Sequence, residues 1–339
     1  MALWTDIIEP AELTGYVRTS LEEREKAKGS LARYLPHQEV LDVAARFVVG
    51  ESGLVDEARF RAYDAEIEIG KTPGGRRVTV DLPALGENIP VSEYAQLRTR
   101  NASDETWRNY ILRTADQAVA AVSDRIERLR GTVLATGKAT IDQANFAVDN
   151  DFGRDADLTV TAGTLWSDSA AKPLDDLEAW IDKYVDANGT EPGRIVLGNK
   201  ALRALLGASQ LSTVLAGGAT RPATLADAQA VLDAAGLPTI ERFNRRTRSG
   251  SVIPDGTILL LPEPVDPTTG TSELGATFWG QTLAATEGDF GLAVDEQPGI
   301  VAGVYRGEKP PMIAEVIADA IALPVLANAN LSMAAKVLA

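Results

Sequence analysis

Apolar residues at Trp107, Ile111, Ala115, Ala118, Val122, Ile126, Leu129 and Val133 recur at steps of 4, 4, 3, 4, 4, 3 and 4. That spacing keeps one face of a 3.6-residue period apolar and predicts a single long helix. Asn101 or Ser103 can cap it, Asp104 and Glu105 fall in its first turn, and Gly137 can stop it. Asp104 with Arg108 and Asp124 with Arg128 add i,i+4 pairs on its wet side. A run of about thirty residues is roughly 45 to 50 Å long, well beyond the usual helix, so it reads as a strut.

The period changes to two just upstream. Ala65, Ile67 and Ile69 alternate with Glu66 and Glu68, and Val78, Val80 and Leu82 alternate with Arg77, Thr79 and Asp81. With Pro73, Gly74 and Gly75 between them, the two runs predict a long β-hairpin. Gly70-Lys71-Thr72 matches the end of a phosphate-binding loop, but that loop needs a glycine where Ala65 stands and a helix afterwards. A strand pattern resumes instead, so the triplet reads as a hairpin tip.

A first amphipathic piece starts at Pro10 in "PAELTGYVRTSLEEREKAKG" and has too few apolar residues for a core of its own. Strand-rich stretches follow the strut at "KATIDQANFAVDND" and "DLTVTAGTLWSD". Helices and strands then alternate. A helix is expected over 173–188 with Gly189 beyond it, a strand in "RIVLG", a helix capped by Asn199, and one capped by Thr224 and ended by Gly236. The strand "TIERF", a basic hairpin tip "NRRTRSGS", and the strands "TILLLPE" and "GATFWGQT" continue the unit, and Pro324, Asn328 and Asn330 divide the last apolar runs. The fold class is therefore α+β.

Across 339 residues, 33 basic and 48 acidic side chains leave a net charge of −15, which argues against a sequence-specific reader of nucleic acid but not against a protein that encloses it. The absence of cysteine removes disulfides, zinc-thiolate sites and thiol nucleophiles. His37 is the only histidine, so imidazole chemistry would have to pass through one position that reads as packing or loop. Asp6 and Glu9 do not fit a signal peptide, and no apolar run approaches the roughly 18 to 20 residues that cross a bilayer.

Acidic pairs such as Asp175 with Asp176, or Asp149 with Asp151, have no spacing that singles them out for catalysis, and "DNDFGRDADLT" misplaces the glycine of a calcium loop. No catalytic residue, cofactor or metal is expected. Arg242, Arg245, Arg246 and Arg248 are candidates for contact with DNA phosphates or with a neighbouring subunit. A lone two-stranded ribbon is marginal in water, and the leading arm has the same lack of cover. Both are expected to be completed by other copies of the chain.

The order of arm, extended hairpin, strut helix, α/β module and returning strands resembles the Hong Kong 97 fold of tailed-phage major capsid proteins, most of all the lambda-like phage major capsid protein E family. "SLARYLP", "AEIEIGKTPGGRRVTV", "VLATGKATI", "GTLWSD" leading into "PLDDLEAW", "IPDGTILLLPE" and "ADAIALPVLANANLSMAAKVLA" carry the likeness. It implies an N-terminal arm over 1–57, an E-loop hairpin over 58–98 and a peripheral domain with its spine helix over 99–171. It also implies a mixed α/β axial domain over 172–300, a return to the peripheral domain over 301–325 and a C-terminal strand of the axial domain over 326–339. The intersubunit E-loop would use Ile67, Ile69, Lys71, Gly74, Arg76, Arg77, Val78 and Val80. The implied protein is structural. It assembles in the host bacterial cytoplasm as pentamers and hexamers of a virion shell that encloses double-stranded DNA without sequence specificity. Its partners would be itself, a portal, a decoration protein and, without a large N-terminal extension, a separate scaffolding protein; no membrane is involved. Lys71 with Asn328 or Asn330 invites comparison with the Lys–Asn cross-link of the fold's founding phage, though no local motif supports it. The alternatives are an encapsulin-type compartment shell and a carboxylate-dependent hydrolase.

Overall fold

The structure, a computed structural model, describes residues 2–49, 76–99, 104–143, 146–211 and 223–339. The strut is helix α3 (Asp104–Thr136), preceded by α1 (Pro10–Lys28) and α2 (Glu93–Thr99). Ile111, Ala115, Ala118, Val122, Ile126, Leu129 and Val133 are buried along α3, as their spacing requires. Gly137 follows at φ +73°, a left-handed conformation that glycine adopts without penalty. The last carbonyls of α3 are held from outside: Arg154 donates from Nη1 to Leu134 O and from Nη2 to Ala135 O, both at 2.8 Å. Burial lowers the Arg154 guanidinium to about 10, partly countered by Asp151, which leaves it charged at neutral pH against the negative end of the helix.

One sheet is organised by a 13-residue strand. Strands β1 (Ala2–Leu3), β2 (His37–Glu39), β5 (Ala84–Val91), β14 (Gly275–Gly280), β15 (Val301–Arg306) and β16 (Ala314–Leu326) form it. On one edge β16 pairs with β5 over 314–321, and on the other it pairs with β15 over 314–319 and then with β14 over 321–326, all antiparallel. Pro324, expected from the sequence to divide apolar runs, lies inside β16. Ala322 N–H donates to Pro83 O on the β5 side, so the nitrogen of residue 324 faces the same way, past the end of β5, and no ladder donor is lost there.

A second, five-stranded sheet has the order β10 (Thr239–Arg242), β9 (Arg194–Leu197), β13 (Thr257–Leu261), β17 (Met333–Lys336), β8 (Thr159–Thr161). Helices α4 (Pro173–Asn188), α5 (Asn199–Gly207) and α6 (Leu225–Ala234) share its core through Leu177, Ile181, Leu202, Leu205 and Leu232. Thr224 caps α6 in a reciprocal box with Asp227, as its sequence signals, and Gly189 ends α4 at φ 72°. Asn199 does not cap α5. Gly198 takes the cap position, and the Asn199 N–H is satisfied by Asn244 Oδ1 at 2.8 Å across the sheet edge.

Two hairpin-like pairs leave the α3 region: β6 (Lys138–Gln143) with β7 (Phe146–Asp151), and β3 (Ala44–Val49) with β4 (Arg76–Asp81). The second contains the expected strand through Val78 and Val80. Among the described residues it pairs with β3, so the ribbon includes residues read from the sequence as arm, while the expected pairing with the 65–69 run lies outside the described residues. Ala65, Ile67, Ile69, Lys71 and Gly74 lie outside the described residues, and the chain after Gly75 enters strand β4 directly instead of opening a helix.

The arm departs further from expectation. Helix α1 needs no other copy to cover it, because Leu13 and Val17 are fully buried with Ile111, Ala115 and Val304 of the same chain. The few apolar residues of α1 suffice since they meet a helix and a sheet that already own a core. The base of the ribbon is covered too: Ala45, Val80 and Leu82 are buried, and Phe47 stacks on Phe278 with centroids 6.0 Å apart.

Beside the strut, a Cβ on Gly131 would stand 2.2 Å from Val252 O, so α3 and the 243–253 segment touch through bare backbone. Gly131→Ala is expected to force them apart and lower stability by about 1–3 kcal/mol, an overpacking cost read as a reduced Tm by circular dichroism.

Candidate interaction surfaces and a buried charge network

At the middle of α3 the apolar stripe is flanked by Ser123, Asp124, Glu127 and Arg130, all aimed inward. Glu127 and Arg130 are fully buried and pair i,i+3 at 3.0 Å. Arg130 also reaches Glu25 Oε1 of α1 at 2.8 Å and Ser30 Oγ at 3.0 Å, and its Nε donates to Thr277 Oγ1 of β14 at 2.9 Å. Glu127 accepts from Leu31 N at 2.7 Å and Ser30 Oγ at 2.8 Å. A buried charge is tolerable only when it is paired and most of its remaining valences are filled, and here three elements do so, leaving Arg130 Nη2 as the one nitrogen of that guanidinium without a hydrogen bond among the described residues.

His37 extends the network along β2. Trp279 Nε1 donates to His37 Nδ1 at 2.6 Å, so the ring proton sits on Nε2, which donates to Glu25 Oε2 at 3.1 Å. Burial would raise the Glu25 carboxyl, but Arg130 and the His37 hydrogen bond together outweigh it and bring it from 4.5 to about 2.

The four arginines singled out from the sequence separate here. Arg245 is buried: Nη2 donates to Ser123 Oγ at 2.8 Å and Asp124 Oδ1 at 3.0 Å, Nη1 donates to Gly29 O at 3.2 Å, and Glu127 lies 3.6 Å away. It is thus part of the chain's own core and not a surface contact for DNA or a neighbour, because the carboxylates of α3 draw it inward. Arg242, Arg246 and Arg248 are exposed. Arg246 lies on β11 (Arg246–Thr247), which pairs with β12 (Gly250–Ser251) around the turn holding Arg248. Lys28, at the last residue of α1, joins Arg242, Asn244, Arg245 and Arg246 around an open cleft of about 400 Å³.

Of the ribbon residues, Val78 and Val80 face Phe47 and Ala45 in register. Leu82 N–H donates to Val43 O, and alternation makes the N–H groups of Val80 and Val78 donate to β3 as well. Arg76 and Arg77 open β4, with Arg77 exposed. Large apolar side chains stand exposed at Leu41, Val43 and Val48 near the ribbon and at Tyr94 and Leu97 on α2, with Tyr94 72% accessible. Asn328 and Asn330 are engaged locally, with Asn328 Oδ1 accepting from Asn330 N and Asn330 Oδ1 from Asp155 N. Asp149 and Asp151 are taken by Thr140 and Lys138, and among the described residues no cluster of His, Cys, Asp and Glu is placed to hold a metal.

The family model described as phage major capsid protein E matches residues 23–337. The chain belongs to that family. This capsid protein carries a Hong Kong 97-like fold, and capsid shell is its place in the virion. A protein from Escherichia coli CFT073 described as the capsid protein of a prophage superposes with a TM-score of 0.58 at 14% identity, over 96% of this chain and 99% of that one. A phage-related protein from Bordetella bronchiseptica RB50 gives 0.58 at 15% identity, over 99% and 97%. No curated protein sequence matches the capsid protein.

Sequence reading missed Glu25, Ser30, Glu127, Arg130 and Thr277. One signal was available: Glu127 and Arg130 flank Ile126, Leu129 and Val133 on the inward face, an i,i+3 ion pair where a simple amphipathic helix would be apolar.

Because the Glu25 carboxyl is depressed in the folded chain, its stabilising contribution is complete above about pH 4.5 and is lost as pH falls toward 2. The displacement is worth on the order of 3 kcal/mol. Glu25→Gln is expected to flatten the acid limb of a Tm-against-pH curve between those values while lowering Tm at pH 7; an unchanged acid limb would remove Glu25 from the account.

Proposed function

We propose that this protein self-assembles as pentamers and hexamers into the icosahedral head shell of a double-stranded DNA tailed bacteriophage and carries out no catalysis. The observation that carries the reading is the family match over 23–337, with the same fold running the length of the two related chains. Within it, 1–57 acts as arm and lends β3 to the ribbon, 58–98 acts as E-loop, 99–171 and 301–325 as peripheral domain, and 172–300 with 326–339 as axial domain. Assembly takes place in the host cytoplasm with a scaffolding protein, a portal at one vertex and a decoration protein on the outer face.

Physical support comes from the surface. Val48 on the ribbon and Tyr94 and Leu97 on α2 are apolar and uncovered, as expected of faces that another copy covers. Ile67, Ile69, Lys71, Gly74, Arg76 and Arg77 belong to the same ribbon in this reading and extend the contact to the neighbouring subunit.

Electron microscopy of the purified chain, alone and with its scaffold, is expected to reveal closed or tubular particles; a monodisperse small species under both conditions would defeat the proposal. Particles that form with no phage partner and enclose a protein cargo would point to the encapsulin alternative. Val80→Pro removes a ladder donor of β4 and should lose most of the particle yield while far-ultraviolet circular dichroism keeps the helical signal. Normal particles from that variant would take the ribbon out of assembly.

A further inference from the structure

The open cleft at the end of α1 has one sign of charge. Lys28, Arg242 and Arg246 line it with Asn244, over the buried Arg245. Among the described residues the side chains of Lys28 and Arg242 have no ion pair or hydrogen bond. Four carboxylates of the adjoining segments are, among the described residues, committed elsewhere: Glu241 to Arg33 and Tyr34, Asp255 to Lys200 and Ser251, and Asp124 and Glu127 to the guanidinium groups beside α3. Arg246 acts on Asp255 only at longer range. Three exposed cations thus converge on one open space with no carboxylate at ion-pair distance among the described residues.

Arg245 sets the geometry. Held by Ser123, Asp124 and Gly29 O, it fixes the backbone between Arg242 at the end of β10 and Arg246 on β11 against α1 and α3, so the flanking cations are presented from an anchored segment. Two guanidinium groups and an ammonium around about 400 Å³ fit tetrahedral oxyanions in succession, since guanidinium forks match phosphate oxygens and the ammonium acts as a point charge.

We propose that this cleft binds the phosphodiester backbone of nucleic acid without reading its sequence, with Lys28, Arg242 and Arg246 as the phosphate contacts and Arg245 as their positioning residue. That the phosphates belong to a packaged genome rests on the capsid reading; the binding itself does not.

The test is titration of a mixed-sequence DNA duplex against the full chain from low to physiological salt. Neutralising three phosphate contacts predicts a log–log salt slope of about −2 to −3, the same for two unrelated sequences. Arg242→Gln with Arg246→Gln should reduce the slope by about one to two and weaken low-salt binding at least tenfold, while Arg248→Gln, outside the cleft, leaves both unchanged. No duplex binding by the wild type at low salt, or a slope unmoved in the double variant, would overturn the proposal. So would a double variant that binds duplex normally but no longer forms particles, since the cleft would then hold an acidic segment of a neighbouring copy. A wild-type chain that binds with this slope yet makes no particles would leave the cleft standing and remove the capsid reading.

Discussion

Three carboxylates and three guanidinium groups meet at the middle of the spine helix. Glu25, Asp124 and Glu127 face Arg24, Arg130 and Arg245, with His37 at the rim. Removing even one such ion from water costs several kcal/mol after relaxation, so each depends on its partners being delivered in place. The partners come from α1, α3, β14 and the segment after β10. The charge network therefore works as a condition of registry: Glu127 and Arg130 can pair within α3, but α1, β14 and the segment after β10 must all be seated before the network is complete.

The spine helix makes this possible by its length. Its first half packs on α1 and on β5 and β16, and its second half reaches the ribbon base, β14 and the 243–253 segment. Gly131 lets that last contact close to backbone distance, and Arg154 finishes the helix end with two fixed donors. The result is one central body, helix and long-strand sheet, to which the ribbon base and the 243–253 segment are packed directly.

The arm and the ribbon reverse one line of physical reasoning. Too little apolar surface to form a core does not mean too little to join one, and both α1 and the ribbon base join cores of their own chain. Assembly is supported here by family membership and by apolar side chains that remain uncovered on β3 and α2, not by an arm in need of cover.

Elements set by local signals were legible from the residues alone: α3 between Asp104 and Gly137, α4 from Pro173 to Gly189, α6 from its Thr224 cap, and the strands through Val78 and through Leu259. Each depends on periodicity or on a cap within a few residues, where backbone geometry leaves few choices. The addition of β3 to the ribbon, the tolerance of Pro324 in β16, the loss of Asn199 as a cap and the burial of Arg245 depend on residues far away in sequence. Only the folded arrangement decides these, because a strand edge, a missing donor or an isolated charge has no fixed energetic value until its neighbours in space are known.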